Sequence, residues 1–276
     1  MLVKLKKITL LCVVLFFCLG MARADLVSHW PLDGDANDIV GNHDGEVSGG
    51  VAFGTKGAVA HTGTAAEFNG LSSTITVPHS TELNPQSFTL ALWARSDGGA
   101  GAWNSPVTSR HDLNPDSQGY LIYDSKPSGV WTFWSGNGTK SGNWQTLDGP
   151  KVIVGEWQHI AITYDNATET KKLYVDGKFK VKRNEAVFPN DTTPFNIGSG
   201  SDYGASYYFD GLIDDVALWD NVLTLKEIRD VMNDGVPRGA PVVINFSASP
   251  PLINSGRAVT LSWDVLRADS VSITHE

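Results

Sequence analysis

From Asp25 to Leu223 the chain is a succession of short runs that alternate apolar and polar residues, each cut off by Gly, Asn, Asp or Pro. Period-two patterning builds strands, and its repeated interruption by turn residues builds antiparallel pairs rather than strand–helix–strand units. The expected fold is an all-β antiparallel sandwich. In "SFTLALWAR", Phe88, Leu90 and Leu92 alternate with Thr89, Ala91 and Trp93, so bulk falls on both parities and both faces of that strand should be covered. "KKLYVDGKFKV" predicts a hairpin whose Asp176-Gly177 pair supplies the positive φ angles of a tight type I′ turn. "STITV" and "HIAITY" are further strands.

One segment has a different period. In "TLKEIRDVMNDG", Leu225, Ile228, Val231 and Met232 form a helical apolar stripe, Thr224 and Glu227 a capping box, and Gly235 falls just past the end. This single short helix should pack on the sandwich.

The ends of the chain read differently. "MLVKLKKITLLCVVLFFCLGMARA" combines a basic start, an apolar run and a small-x-small exit at Ala22 and Ala24, the pattern of a signal peptide over residues 1–24. Phe17 before Cys18 argues against a lipid anchor, and the apolar run is too short for a stable membrane span. The expectation is export, to the extracellular space or a periplasm. Both cysteines, Cys12 and Cys18, lie in that leader, so the exported chain has no disulfide and must rely on its core or on bound metal. Beyond "GVPRGAP", residues 237–276 show strand-like runs at Val242 to Ser247, Ala258 to Val265 and Ser270 to Ile273. These read as the opening of an Ig-like domain cut short, after a main domain spanning 25–236.

The sequence carries 21 basic and 30 acidic residues; without Lys4, Lys6, Lys7 and Arg23 of the leader this becomes 17 against 30, a net of −13. Such a charge disfavours nucleic acid and anionic lipid and suits neutral ligands and divalent cations.

The segments "HWPLDGDANDIVGNHDG", "AEFNGLSSTITVP", "SFTLALWAR", "GEWQHIAITYD", "KLYVDGK" and "FDGLIDDVALWDNVLTLKEI" occur in the order seen in LamG-like jelly rolls. From about Val27 to Val231 the chain resembles these domains of the concanavalin A-like lectin/glucanase superfamily. The resemblance implies two antiparallel sheets, frequent carbohydrate or protein binding, and often a calcium ion. It does not fix the ligand.

Glycoside hydrolases of that superfamily, such as laminarinases, place catalytic carboxylates in a Glu-x-Asp-x-x-Glu run along one strand. No such run exists here; Glu46, Glu67, Glu82 and Glu156 stand alone beside turns. The seven histidines form no zinc pattern, and His159 reads as a packing residue on a strand. No Gly-x-Ser-x-Gly elbow is present, so no catalytic residue is assigned.

Nine tryptophans offer a binding chemistry instead. Trp30, Trp93, Trp157 and Trp219 lie in apolar strand runs and read as core. Trp103, Trp131, Trp134 and Trp144 lie among Gly, Ser, Asn and Asp, the setting in which flat rings stack on sugars, although the same rings can simply cover a sheet. In "WTFW" the alternation sends Trp131 and Phe133 to one face and Trp134 to the other. Two functions from different classes follow: a noncatalytic module for neutral polysaccharide or a glycoprotein glycan, and an adhesion or spacer domain that touches another extracellular protein.

Four aspartates between Asp33 and Asp44, with no compensating Lys or Arg, raise the question of a cation. Asp33, Asp35, Asn37 and Asp44 fall at positions of an EF-hand loop, but Asp38 stands where that loop needs Gly. In "GLIDDVALWD", counting by two gives Asp214 the parity of Leu212, Val216 and Leu218, a costly place for an unpaired carboxylate. In laminarinase-type relatives an aspartate in a similar last-strand position binds calcium, and the resemblance carries that role to Asp214. The expected ligands are Asp214, Asp33 and Asp38 with main-chain carbonyls; the alternative is a pure turn in which these carboxylates take backbone N–H donors.

Overall fold

The computed structural model describes residues 26–98, 103–112, 116–125, 129–139, 142–200, 207–237, 242–249 and 260–266. The expected leader lies outside these residues. In chain order the strands are β1 (Leu26–Trp30), β2 (Glu46–Ser48), β3 (Ala52–Lys56), β4 (Thr64–Asn69), β5 (Thr74–Val77), β6 (Phe88–Ser96), β7 (Trp103–His111), β8 (Gln118–Ser125), β9 (Val130–Gly136), β10 (Trp144–Lys151), β11 (Gln158–Asp165), β12 (Thr170–Val175), β13 (Lys178–Asn184), β14 (Phe195–Ile197) and β15 (Asp210–Trp219). The helix α1 (Leu225–Asp234) follows, and then β16 (Val242–Ser249) and β17 (Thr260–Leu266).

The strands form two antiparallel sheets. One is an eight-stranded sheet in the order β13-β12-β11-β6-β15-β4-β3, with β1 also on β15; the other has seven strands in the order β10-β9-β8-β7-β14-β5-β2. Apolar residues from both inner faces make one core, in which Leu90, Leu92 and Ile162 of the first sheet meet Ile122, Trp131 and Phe133 of the second. Such burial is the main stabilising term of a fold whose described residues include no cysteine.

Helix α1 begins as its sequence requires, with the Thr224 hydroxyl accepting from the Glu227 N–H and the Glu227 carboxylate accepting from the Thr224 N–H at 2.7 Å. Its Ile228 and Val231 pack on Ala91, Ala161, Tyr174, Ala217 and Trp219, a second cluster on the outer side of the eight-stranded sheet. β6 is therefore covered on both faces, as its double-sided bulk predicted. Asp176 and Gly177 have φ of 52° and 61°, the paired positive angles of the expected β12–β13 turn.

Two expectations need correction. Trp30 and Trp219 are buried, but Trp93 and Trp157 are only half-buried; the Trp93 ring packs edge-on against His159 at 5.2 Å. The parity count through "GLIDDVALWD" also fails, because the register shifts between Asp214 and Ala217 and Asp215 sits at φ 48°. This β-bulge puts Ile213, Val216 and Leu218 on the core side and leaves Asp214 off that face. β16 and β17 pair with each other as an antiparallel ribbon, and the expected strand at Ser270 to Ile273 lies outside the described residues.

Candidate functional site

The register of the seven-stranded sheet aligns one residue from every strand across its outer face. Glu46 pairs with Thr76, Thr76 with Asn196, Asn196 with Thr108, Thr108 with Leu121, Leu121 with Trp134 and Trp134 with Thr146. One half of this row is hydroxyl and amide, with the Thr76 hydroxyl donating to Asn196 Oδ1 at 3.0 Å and the Thr74 and Ser199 hydroxyls 2.7 Å apart beside it. The other half runs through Leu121, Trp134 and Thr146, and Trp134 there belongs to an aromatic cluster.

There Trp103, Tyr123 and Trp134 pack together with centroids 5.1 to 5.4 Å apart, and Tyr207 stands edge-on to Tyr123 at 5.6 Å. Tyr123 is buried beneath its neighbours, whereas Trp103, Trp134 and Tyr207 stay half-exposed. Trp144, also half-buried, lies over the Arg110 guanidinium at 4.6 Å. Arg110 in turn donates to the Tyr123 hydroxyl at 2.8 Å and to Asp112 at 2.9 Å. Burial alone would raise the Asp112 carboxyl, but the Gly142 N–H, Arg110 and Trp144 outweigh it and hold the group down to about 2. The face thus carries a stacked, neutralised cation rather than an open one.

Of the four tryptophans singled out in the sequence, the structure brings Trp103 and Trp134 into contact and sets Trp144 on the same face. Trp131 is corrected: its ring is wholly in the core and its Nε1–H donates to Gln158 Oε1 at 2.9 Å. The alternation in "WTFW" already required this, since Trp131 and Trp134 cannot share a face. Tyr123, Tyr207 and Arg110 escaped the sequence reading. For Tyr123 the signal was its parity with Leu121 in "GYLIYD", but the register that sets it beside Trp134 is a tertiary fact.

The N-terminal aspartates are distributed among separate tasks. Asp35 accepts from the N–H and side-chain amide of Asn37, and Asp44 accepts from the Asp38 N–H at 2.8 Å. Asp38 is buried and accepts four backbone N–H groups, those of His29, Val40, Gly41 and His43, at 2.9 to 3.1 Å. Burial pushes its carboxyl up, and these donors together pull it below the usual value. Asp38 is therefore corrected as a metal ligand, since both its oxygens are already spent on the turn.

Asp33 and Asp214 are different. β15 pairs with β4 through Asp210 to Ile213 and with β1 through Val216 to Trp219, so the bulge at Asp214 and Asp215 is the handover between two neighbours. Asp215 bonds His29 Nε2 of β1 at 2.6 Å, while Asp214 Oδ2 accepts the Ala58 N–H of the β3–β4 turn at 2.9 Å. Asp214 Oδ1 is buried without a hydrogen-bond partner. A Cβ on Gly57 would lie 2.7 Å from Asp214 Oδ2 and from the Gly63 carbonyl and 2.8 Å from the Thr62 hydroxyl, so three oxygens converge on a place only glycine leaves open. Asp33 flanks the same turn, accepting the Thr64 N–H at 2.6 Å and crowding Gly63. Burial, with the charges of Asp215 and Asp33, raises the Asp214 carboxyl to about 7 against the Thr62 and Ala58 donors. An oxygen-only donor set with an orphaned buried carboxylate oxygen fits a hard cation such as calcium. Among the described residues no group of three or more His, Cys, Asp or Glu is placed to hold a metal, so carbonyl and hydroxyl oxygens have to complete such a site.

Glu46, Glu67, Glu82 and Glu156 are exposed and lie on four separate elements or turns. His159 is buried on β11, with burial depressing its imidazolium to about 3.

Two sheets of this topology with a polar and aromatic outer face define a jelly-roll sandwich of the lectin kind. The Laminin_G_3 family model, described as concanavalin A-like lectin/glucanases superfamily, matches residues 69–229, and the chain belongs to that superfamily. No curated protein matches the sequence. Among solved structures, domain 4 of AbnA, a GH43 extracellular arabinanase from Geobacillus stearothermophilus in complex with arabinotriose, superposes with a TM-score of 0.60 at 22% identity, over 75% of this chain and 98% of that one. The binding domain of Paraclostridial Mosquitocidal Protein 1 gives 0.56 at 17% identity, over 76% of this chain and 52% of that one. A Trypanosoma rangeli sialidase in complex with 2,3-difluorosialic acid gives 0.57 at 16% identity, over 75% of this chain but only 32% of its own. At these identities the likeness is one of fold. Among the described residues no helix is long and apolar enough to cross a membrane.

Proposed function

We propose that the chain is an exported, noncatalytic carbohydrate-binding module whose ligand is a neutral polysaccharide. The observation that carries this reading is the outer face of the seven-stranded sheet, where half-exposed Trp103 and Trp134 share one face with the half-exposed hydroxyl side chains of Thr74 and Thr76. A sugar ring offers an apolar C–H face for the tryptophans and a rim of hydroxyls for the amide and hydroxyl side chains. The pairing of Arg110 with Asp112 favours an uncharged sugar at this face, because the cation there already has its counter-ion. The arabinotriose complex of the arabinanase domain is in keeping with this reading, as is its extracellular setting.

A structural calcium belongs to the same proposal, held by Asp214 and Asp33 with oxygens of the Gly57 to Gly63 turn. When bound, the ion would supply charge compensation to Asp214 and tie β15 to the β3–β4 turn, a role that disulfides fill in other exported domains.

A glycan array probed with the chain, followed by titration calorimetry on each hit, tests the function. Binding to a neutral oligosaccharide that falls with Trp134→Ala supports it. No glycan bound, or turnover of a bound glycan that disappears with a single Glu substitution, overturns it.

A further inference from the structure

The positive charge of this acidic chain is concentrated at one place. Lys172 on β12 and Lys178, Lys180, Lys182 and Arg183 on β13 fall within 12 consecutive positions, in a sequence whose formal net charge is −9. β13 is the terminal strand of the eight-stranded sheet, and all four of its basic residues are exposed. Elsewhere several cations have a carboxylate partner: Arg95 with Asp97 at 2.8 Å, Arg110 with Asp112 at 2.9 Å and Lys226 with Asp230 at 2.6 Å. On the edge itself, Glu185 is taken by buried Lys171 at 2.6 Å and approaches Arg183 at 3.7 Å. Among the described residues no carboxylate is within ion-pair distance of Lys172, Lys178, Lys180 or Lys182.

Lysines on an edge strand also guard it against pairing with another chain. That role does not account for Phe179, which stands 47% exposed in their midst and would promote the association the lysines prevent. The register shift between Leu173 and Tyr174 pairs Tyr174 with Phe179, and the two rings meet edge-on at 5.9 Å. Tyr174 is itself fixed in the cluster under α1, so Phe179 is held in place with one face to solvent. A rigid exposed ring among unpaired cations matches a sugar ring that bears an acid.

We propose that the β13 edge is a second glycan site, separate from the aromatic row on the other sheet, that takes a linear acidic polysaccharide. Phe179 receives the apolar face of a sugar ring, and Lys172 and Lys182, a cross-strand pair on the same face, together with Lys180 at the bulge, pair with carboxylates repeated along the polymer. Several weak contacts on one chain add through multivalency and through counterion release, so the binding is strongly salt-dependent.

The test uses the full chain and polygalacturonate, with its fully methyl-esterified form as an uncharged control, by calorimetry at low and moderate salt. The expected result is binding to the acid form at about 50 mM salt, weaker by roughly tenfold or more at about 300 mM, and none to the ester. The exposed double change Lys180→Glu with Lys182→Glu should weaken it roughly tenfold again, with an unchanged unfolding midpoint, and Phe179→Ser should weaken it without altering the salt slope. Phosphatidylserine vesicles form the other arm. Binding to vesicles but not to polygalacturonate would overturn the proposal. So would a double variant that self-associates yet keeps the parent's affinity, which would mark the lysines as an edge guard alone.

Discussion

Asp214 accepts the backbone N–H of Ala58 at 2.9 Å across 156 positions of sequence, at the point where β4 and β1 succeed one another along β15. Its second carboxylate oxygen is buried without a partner, beside the oxygens that converge over Gly57. The expected outcome of thermal unfolding, first in chelator and then in calcium at a hundredfold excess over its dissociation constant, is a gain of about 2.7 kcal/mol. For a domain of this size that is roughly 5–10 °C. Asp214→Asn should abolish the response; a midpoint that ignores calcium, or a variant that keeps the whole shift, ends the calcium reading.

Asp38 makes the contrasting case. Four backbone donors converge on it, so Asp38→Ala should cost about 2–4 kcal/mol, the penalty of leaving buried N–H groups unmet. Denaturant titration with and without calcium checks this: the loss is expected in both, and a variant restored by calcium would return Asp38 to the metal.

The two tryptophans of "WTFW" should separate cleanly. Trp134→Ala, on the outer face, is expected to weaken neutral-glycan binding about tenfold with a small effect on stability. Trp131→Ala, in the core, is expected to cost about 3–5 kcal/mol of stability. Calorimetry and urea unfolding on both variants would reveal the reverse pattern if the sheet faces were misassigned.

His159 should make the fold acid-sensitive. Burial depresses its folded-state value to about 3 against an ordinary 6.5, so the unfolded chain takes up the proton first. The stability from neutral His159 is complete above about pH 6.5 and is lost as pH falls toward 3, at up to roughly 1.4 kcal/mol per pH unit. His159→Phe, which keeps a ring against Trp93, should flatten the stability curve between about pH 6.5 and 4 relative to the parent. An unchanged slope would show that the imidazole is reached by water.

What the sequence determined by itself was whatever depends on near neighbours along the chain. Strand periodicity, the Asp176-Gly177 turn and the Thr224 to Glu227 capping box each need only a few consecutive residues, and each stands in the structure where local chemistry put it. The opposite faces of Trp131 and Trp134 were legible for the same reason, because alternation is a property of one strand. The rest was decided by contacts between distant segments. Whether Asp38 or Asp33 keeps a free oxygen depends on which N–H groups fold back onto it, and for Asp33 the donor is Thr64, 31 positions away. Asp214 lost its apparent core parity to a bulge, and that bulge exists because β15 must serve β4 with one half and β1 with the other. The row from Thr76 to Trp134 likewise belongs to no segment. It is a product of strand register, which pairing across the sheet fixes and which no single strand encodes.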